Sequence, residues 1–124
     1  NTLIYFFKGV GRVSDRLLLE APKSIGIPTI VLYELEVGIA KSKAPERQRM
    51  QLQSLASTVN ILPFGVDEAR AAATIRAKLE KKGEPIEPYD VLIAGTALSQ
   101  KGVLITHNIQ EFGRVEGLQI EDWY

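Results

Sequence analysis

Short apolar runs alternate along this chain with stretches of helical periodicity, and that alternation restricts the fold more than any other feature. Residues 25–30 form a strand candidate leading into a helix over residues 31–42, with Thr29 placed to cap it. A second helix over residues 44–57 carries Pro45 just inside its start. Residues 59–62 read as a strand ended by Pro63. Residues 67–82 carry Ala69, Ala72, Ala73, Arg76 and Leu79 at helical spacing, with Gly83 as the stop. A helix opening at Pro88 and ending near Gln100 comes next, then a compact strand over residues 103–105 and a last one over residues 118–120. Strands separated by helices need crossover connections, so the expected sheet is parallel and covered on both faces. Such sheets hold their ligands beyond the carboxyl ends of the strands, and Thr106 lies at one such end. Nearer the start, residues 3–8 are read as a short apolar helix or turn closed by Gly9 and Gly11. Residues 13–20 are read as a short amphipathic helix with Leu17 and Leu18 inward.

A chain of 124 residues with no evident linker implies one domain. Lys and Arg number 15, as do Asp and Glu, which argues against a strongly basic, non-specific nucleic-acid binder but not against a local contact with nucleic acid. There is no cysteine and a single histidine, which removes disulfides, thiolate chemistry and cysteine- or histidine-rich zinc sites. Any metal would sit among oxygen ligands, which favours Mg²⁺ or Mn²⁺. No apolar run is long enough to span a membrane, so the cytoplasm is the expected location.

The helix pattern from Pro88 to Leu98 is almost wholly apolar and carries one carboxylate, Asp90. An acid at the start of a buried helix either caps it and complements its dipole or meets a partner from elsewhere in the fold, a metal ion being the leading choice. Glu34 and Gly38 share a helix face, as do Asp90 and Ala94, so each acid has a small residue beside it and room for an ion, a water or a phosphate. Glu34 read alone is equally a solvated or salt-bridged helix acid. Asn108 follows a strand end, where it either supplies a neutral oxygen ligand or caps the next short helix. Glu111 reads as an ordinary helix acid and His107 as a loop residue. Lys41, Lys43, Arg47 and Arg49 read as a solvated face ahead of an RNA contact. Trp123 and Tyr124 read as an anchor packing on the sheet.

Three segments in order carry a resemblance: Tyr33-Glu34-Leu35 with Gly38, Pro88-Tyr89-Asp90 with Ile93-Ala94, and Thr106 with Asn108 and Glu111-Phe112. Together with the stretch 41–47 and the ending 117–123, they make the chain similar to PIN-domain ribonucleases, above all to the VapC-type toxins of bacterial toxin–antitoxin pairs. The resemblance implies an α/β fold, a three-layer α/β/α PIN-like domain with a central parallel sheet over residues 1–124. It also implies an acid cluster that binds Mg²⁺ or Mn²⁺ and cuts RNA, a cognate antitoxin partner, and a homodimer formed through the helices over residues 31–42 and 44–57. Carried over by position, Glu34 and Asp90 correspond to the second and third acids as catalytic and metal-binding residues, and Asn108 stands where many members have a fourth. The opening Asn1-Thr2-Leu3-Ile4-Tyr5 resembles the residues that follow the first catalytic aspartate, so that aspartate and the central strand are expected upstream of Asn1.

Two other readings compete. One is a PIN-fold binding module with a vestigial acid site, acting through dimerisation or antitoxin pairing. The other is a phosphoacceptor receiver domain, which ranks low because Asp90 and Glu34 fall on helices and not at a strand end.

Overall fold

The computed structural model describes the backbone of residues 3–5 and all of residues 24–122. The expected helix over residues 13–20 and the Trp123–Tyr124 anchor lie outside the described residues.

Five strands form one sheet: β1 (Leu3–Tyr5), β2 (Ile25–Pro28), β3 (Asn60–Leu62), β4 (Val103–Ile105) and β5 (Gln119–Glu121). Their order is β3-β2-β1-β4-β5, and every pairing is parallel. The central strand is a correction to the sequence reading. Residues 3–5 are neither helix nor turn, and the centre of the sheet, expected upstream of Asn1, is occupied by Leu3–Tyr5, with Leu3 opposite both Ile25 and Val103. A short continuous apolar run carries no periodicity, so a fully buried strand cannot be told from a helical turn by pattern. What decides is the backbone hydrogen bonding that β2 and β4 offer on either side.

The connections are α1 (Thr29–Ala40), α2 (Pro45–Ala56), α3 (Val66–Lys81), α4 (Pro88–Gln100) and the single turn α5 (Ile109–Phe112). Thr29 does not cap α1. Pro28 holds the cap position, and the Thr29 hydroxyl donates to the Leu62 carbonyl at 2.7 Å, tying the start of α1 to the end of β3. The α3 helix is capped by Glu68, a buried acid whose Oε1 accepts from the Gly65 amide at 2.7 Å. Gly83 stops it with φ 72°.

The core lies between the sheet and α4. Ile27, Ile93, Ala94, Ala97 and Leu104 are fully buried, and burial of each large aliphatic side chain contributes about 1.5–3 kcal/mol. α3 and α4 approach backbone to backbone, because a Cβ on Gly95 would stand 2.8 Å from both the Cβ and the amide nitrogen of Ala72. All three β4 side chains are buried, as a parallel strand covered on both faces requires. Among the described residues no helix is long and apolar enough to cross a membrane.

Candidate active site

Chain order in the sheet reverses between β1 and β4, since β2 and β3 lie to one side and β4 and β5 to the other. The crevice beyond the carboxyl ends of these strands is where open parallel sheets place ligands. Three elements bring polar side chains to that edge: α1 after β2, the start of α4, and the turn after β4.

Asp90 is the third residue of α4, whose first turn opens with Pro88 and the Val91 amide donating to the Glu87 carbonyl at 3.0 Å. It is only 6% exposed. Beyond β4, the fully buried Thr106 donates its amide to the Glu121 carbonyl at 3.0 Å. Its hydroxyl accepts from the Asn108 amide at 3.0 Å, which fixes the turn. Asn108 stands at the N-cap position of α5, yet its side chain caps nothing. Its Nδ2 donates instead to the Glu111 carboxylate, which leaves the amide oxygen as the atom open to a ligand.

Glu111 is the residue that sequence reasoning passed over as an ordinary helix acid. Its Oε1 accepts from the Glu87 amide at 2.7 Å, its other oxygen takes the Asn108 amide, and the Asp90 carboxyl lies beside it. It thereby joins the start of α4 to the turn after β4. Burial pushes its carboxyl up. The hydrogen bonds from Glu87, Asn108 and Asp90, with the nearby Arg114 charge, more than offset that and hold it below the usual carboxylate range. The signal in the sequence was its spacing of three from Asn108, which puts both on one face of a helical turn.

Glu34, on α1, is half-buried. Its Oε1 is fully shielded and has no hydrogen-bond partner among the described residues, so the solvated-acid reading does not describe it. Its charge reaches Tyr89, the neighbour of Asp90. There a hydrogen bond to Tyr33 and the Tyr33 charge, then burial and the Glu34 and Glu87 carboxylates, hold the phenol above the ordinary tyrosine range. The small-residue expectation holds on one helix only. Gly38 is exposed with nothing within 4 Å of an added Cβ, whereas Ala94 is fully buried in the core.

The structure therefore bonds Asn108 to Glu111, brings Asp90 beside Glu111 and sets Glu34 on the neighbouring helix. Among the described residues, no three Asp, Glu or His side chains group closely enough to hold a metal ion. The donor chemistry still fits a hard cation: the carboxylates of Asp90 and Glu34, the latter with a buried oxygen unpartnered among the described residues, and the Asn108 amide oxygen. His107 pairs with Asp122 at 3.2 Å on the surface. Lys41, Lys43, Arg47 and Arg49 are all exposed. Between α1 and α2 lies an open groove of about 630 Å³, lined by Glu34, Leu35, Gly38, Leu52 and their neighbours. α2 itself contains no buried residue.

The PIN domain family model matches residues 1–118. The tRNA(fMet)-specific endonuclease VapC of Salmonella typhimurium is 38% identical over 124 residues, covering 99% of this chain and 93% of that protein. Ribonuclease VapC2 of Rickettsia felis is 37% identical over 106 residues, 86% of this chain and 79% of the relative. Among solved structures, DNA-bound VapBC from Salmonella typhimurium superposes with a TM-score of 0.89 at 32% identity, covering 100% of both chains.

Proposed function

Since this chain belongs to the PIN-domain family, among its VapC-type members, we propose that it is a divalent-metal-dependent endoribonuclease, the toxin of a toxin–antitoxin pair. The observation that carries the reading is Asp90: a buried carboxylate at the switch-point edge of a parallel sheet, beside a second acid, Glu111, that is itself bonded to the Asn108 amide. Burial of an acid is costly unless a ligand or partner offsets it.

Asp90, Glu34 and the Asn108 oxygen are the residues that would hold Mg²⁺ or Mn²⁺. When bound, such a cation supplies positive charge against the phosphodiester and acidifies water for attack. The protein does the rest. Asp90 is fixed by the first turn of α4 and by Glu111. Asn108 is held by its Nδ2 bond to Glu111, which leaves its oxygen as the acceptor for a ligand. Glu34 has a shielded oxygen without a partner among the described residues, and beside holding the cation it would orient the attacking water or accept its proton. Glu111 is a positioning residue, held by Glu87 and holding Asn108.

A partner reading accompanies the chemistry. The antitoxin and a second copy of the chain are placed on the α1–α2 side, supported by the open groove there and by the absence of buried residues on α2. The cytoplasm, where such a toxin meets RNA and antitoxin, is the proposed location. The vestigial-site module is kept as second reading because the described residues hold no three-carboxylate cluster. RNA cleavage with and without Mg²⁺, beside an Asp90→Asn control, separates the two. Mg²⁺-dependent cutting that disappears in the control supports the nuclease. A folded protein that cuts none of transfer, ribosomal or messenger RNA supports the module.

A further inference from the structure

Two exposed tyrosines flank the acid site. Tyr33 immediately precedes Glu34 on α1, and Tyr89 immediately precedes Asp90 on α4. Their rings meet at a centroid separation of 5.9 Å and an angle of 47°. Even so, Tyr33 stays 52% exposed and Tyr89 45%. Aromatic pairs that serve the core bury most of their area. This pair fixes two side chains from different helices in place and leaves ring surface open at the mouth of the site.

The substrate faces an electrostatic problem at that mouth. The acids repel a phosphate backbone, and a chain of zero formal charge offers no general attraction. Stacking of a base on an aromatic face needs no charge, and proteins that hold single-stranded RNA use it repeatedly. We propose that Tyr33 and Tyr89 together form a stacking platform for an unpaired nucleobase of the RNA, beside the phosphodiester to be cut. The platform rests on the ribonuclease reading above. It selects unpaired over paired nucleotides and is tolerant of base identity, because every base presents a π face. Joining α1 to α4 across the site, it also sets the base relative to Glu34 and Asp90 at once.

The test uses the full chain with Asp90→Asn to block cutting. The probes are a short unstructured RNA, the same strand annealed to its complement, and an abasic strand of equal length and charge. Tyr33→Leu and Tyr89→Leu are expected to weaken binding of the unstructured strand on the order of 5- to 150-fold, the range that stacking of one base spans. Both should leave abasic binding unchanged, and Tyr33→Phe and Tyr89→Phe should bind like the parent. In the cleaving protein with Asp90 restored, the Leu variants raise KM and leave kcat near the parent value. Matched melting curves show that the variants are folded. The platform is overturned if folded Leu variants bind the intact strand as tightly as the parent, or if they lose abasic binding equally. If the parent cuts RNA and these outcomes follow, only the platform fails. If the parent neither binds nor cuts any RNA, the ribonuclease reading fails and the platform with it.

Discussion

Glu68, which is buried, and Glu111, which is half-buried, use their carboxylates differently, and the contrast separates structural from chemical roles. Glu68 spends its carboxylate on the Gly65 amide at the start of α3. Glu111 accepts from Glu87 and Asn108 and meets Asp90. Replacing Glu68 with Ala should cost about 1 kcal/mol of stability, the ordinary worth of a helix-start acceptor, and leave metal-dependent RNA cleavage intact. Glu111→Gln should lower cleavage and, in addition, carry a stability cost that depends on pH. The glutamine has one acceptor oxygen for two donors, so either the Glu87 amide or the Asn108 Nδ2 would face another donor and the turn would lose a tie; outer positioning groups of this kind carry about 10- to 100-fold in activity or metal affinity. The same residue sets a pH dependence. Its carboxyl is held below the usual range in the fold, so the folded state binds fewer protons than the unfolded one. Its stabilising share is complete above the ordinary carboxylate pKa and disappears as pH falls through the lowered folded value. Thermal melts of the metal-free protein from neutral to acid pH should therefore converge for the parent and Glu111→Gln at the acid end. Curves that stay equally separated throughout would contradict the assignment.

Among the elements, most strands and helices were legible because their periods differ and their stops are marked. Residues 103–105 were bounded correctly by Lys101-Gly102 ahead and polar Thr106 behind. β2 ends two residues earlier than its apolar run suggested, since Thr29 and Ile30 already belong to α1. The hydroxyl thought to cap that helix instead reaches Leu62 on a strand paired beside it, a partner 33 residues away that local pattern cannot reveal. β1 was missed for a related reason: its identity comes from neighbours on both sides and not from its own three residues. Two substitutions measure these inter-element contacts. Thr29→Val keeps the shape and removes the donor to Leu62, which should cost about 0.5–1.5 kcal/mol in chemical denaturation. Gly95→Ala forces a methyl against the Ala72 backbone where helix α3 has no flexible side chain to give. It should cost about 1–3 kcal/mol, with the midpoint lowered and the denaturant slope unchanged.

Across the whole molecule, the site is a meeting of elements far apart in sequence. Glu34 comes from α1, Asp90 from α4 and Asn108 from the turn after β4. Residue type and spacing made these three candidates beside blander readings, and the family resemblance gave them their roles; neither could show that Glu111 bonds Asn108 or that Glu34 has a shielded oxygen without a partner among the described residues. Those facts depend on tertiary approach, and only the assembled sheet edge supplies it. The same dispersal makes a cation bound there a tie between separate parts of the fold. A ligand that binds only the folded state stabilises it by RT ln(1 + [L]/Kd). At ten times the Kd, Mg²⁺ should add about 1.4 kcal/mol, which for a domain of this size corresponds to a rise of about 4–7 °C in the melting midpoint. Ca²⁺-free buffer with Mg²⁺ titrated in, read by calorimetry, measures it directly. The rise should be absent in Asp90→Asn and reduced in Glu34→Gln, while Glu68→Ala, equally an acid-to-neutral change, should keep it whole. A rise of the same size in all four proteins would mean general ionic screening. It would remove the metal from the strand-end crevice whatever the cleavage assay showed.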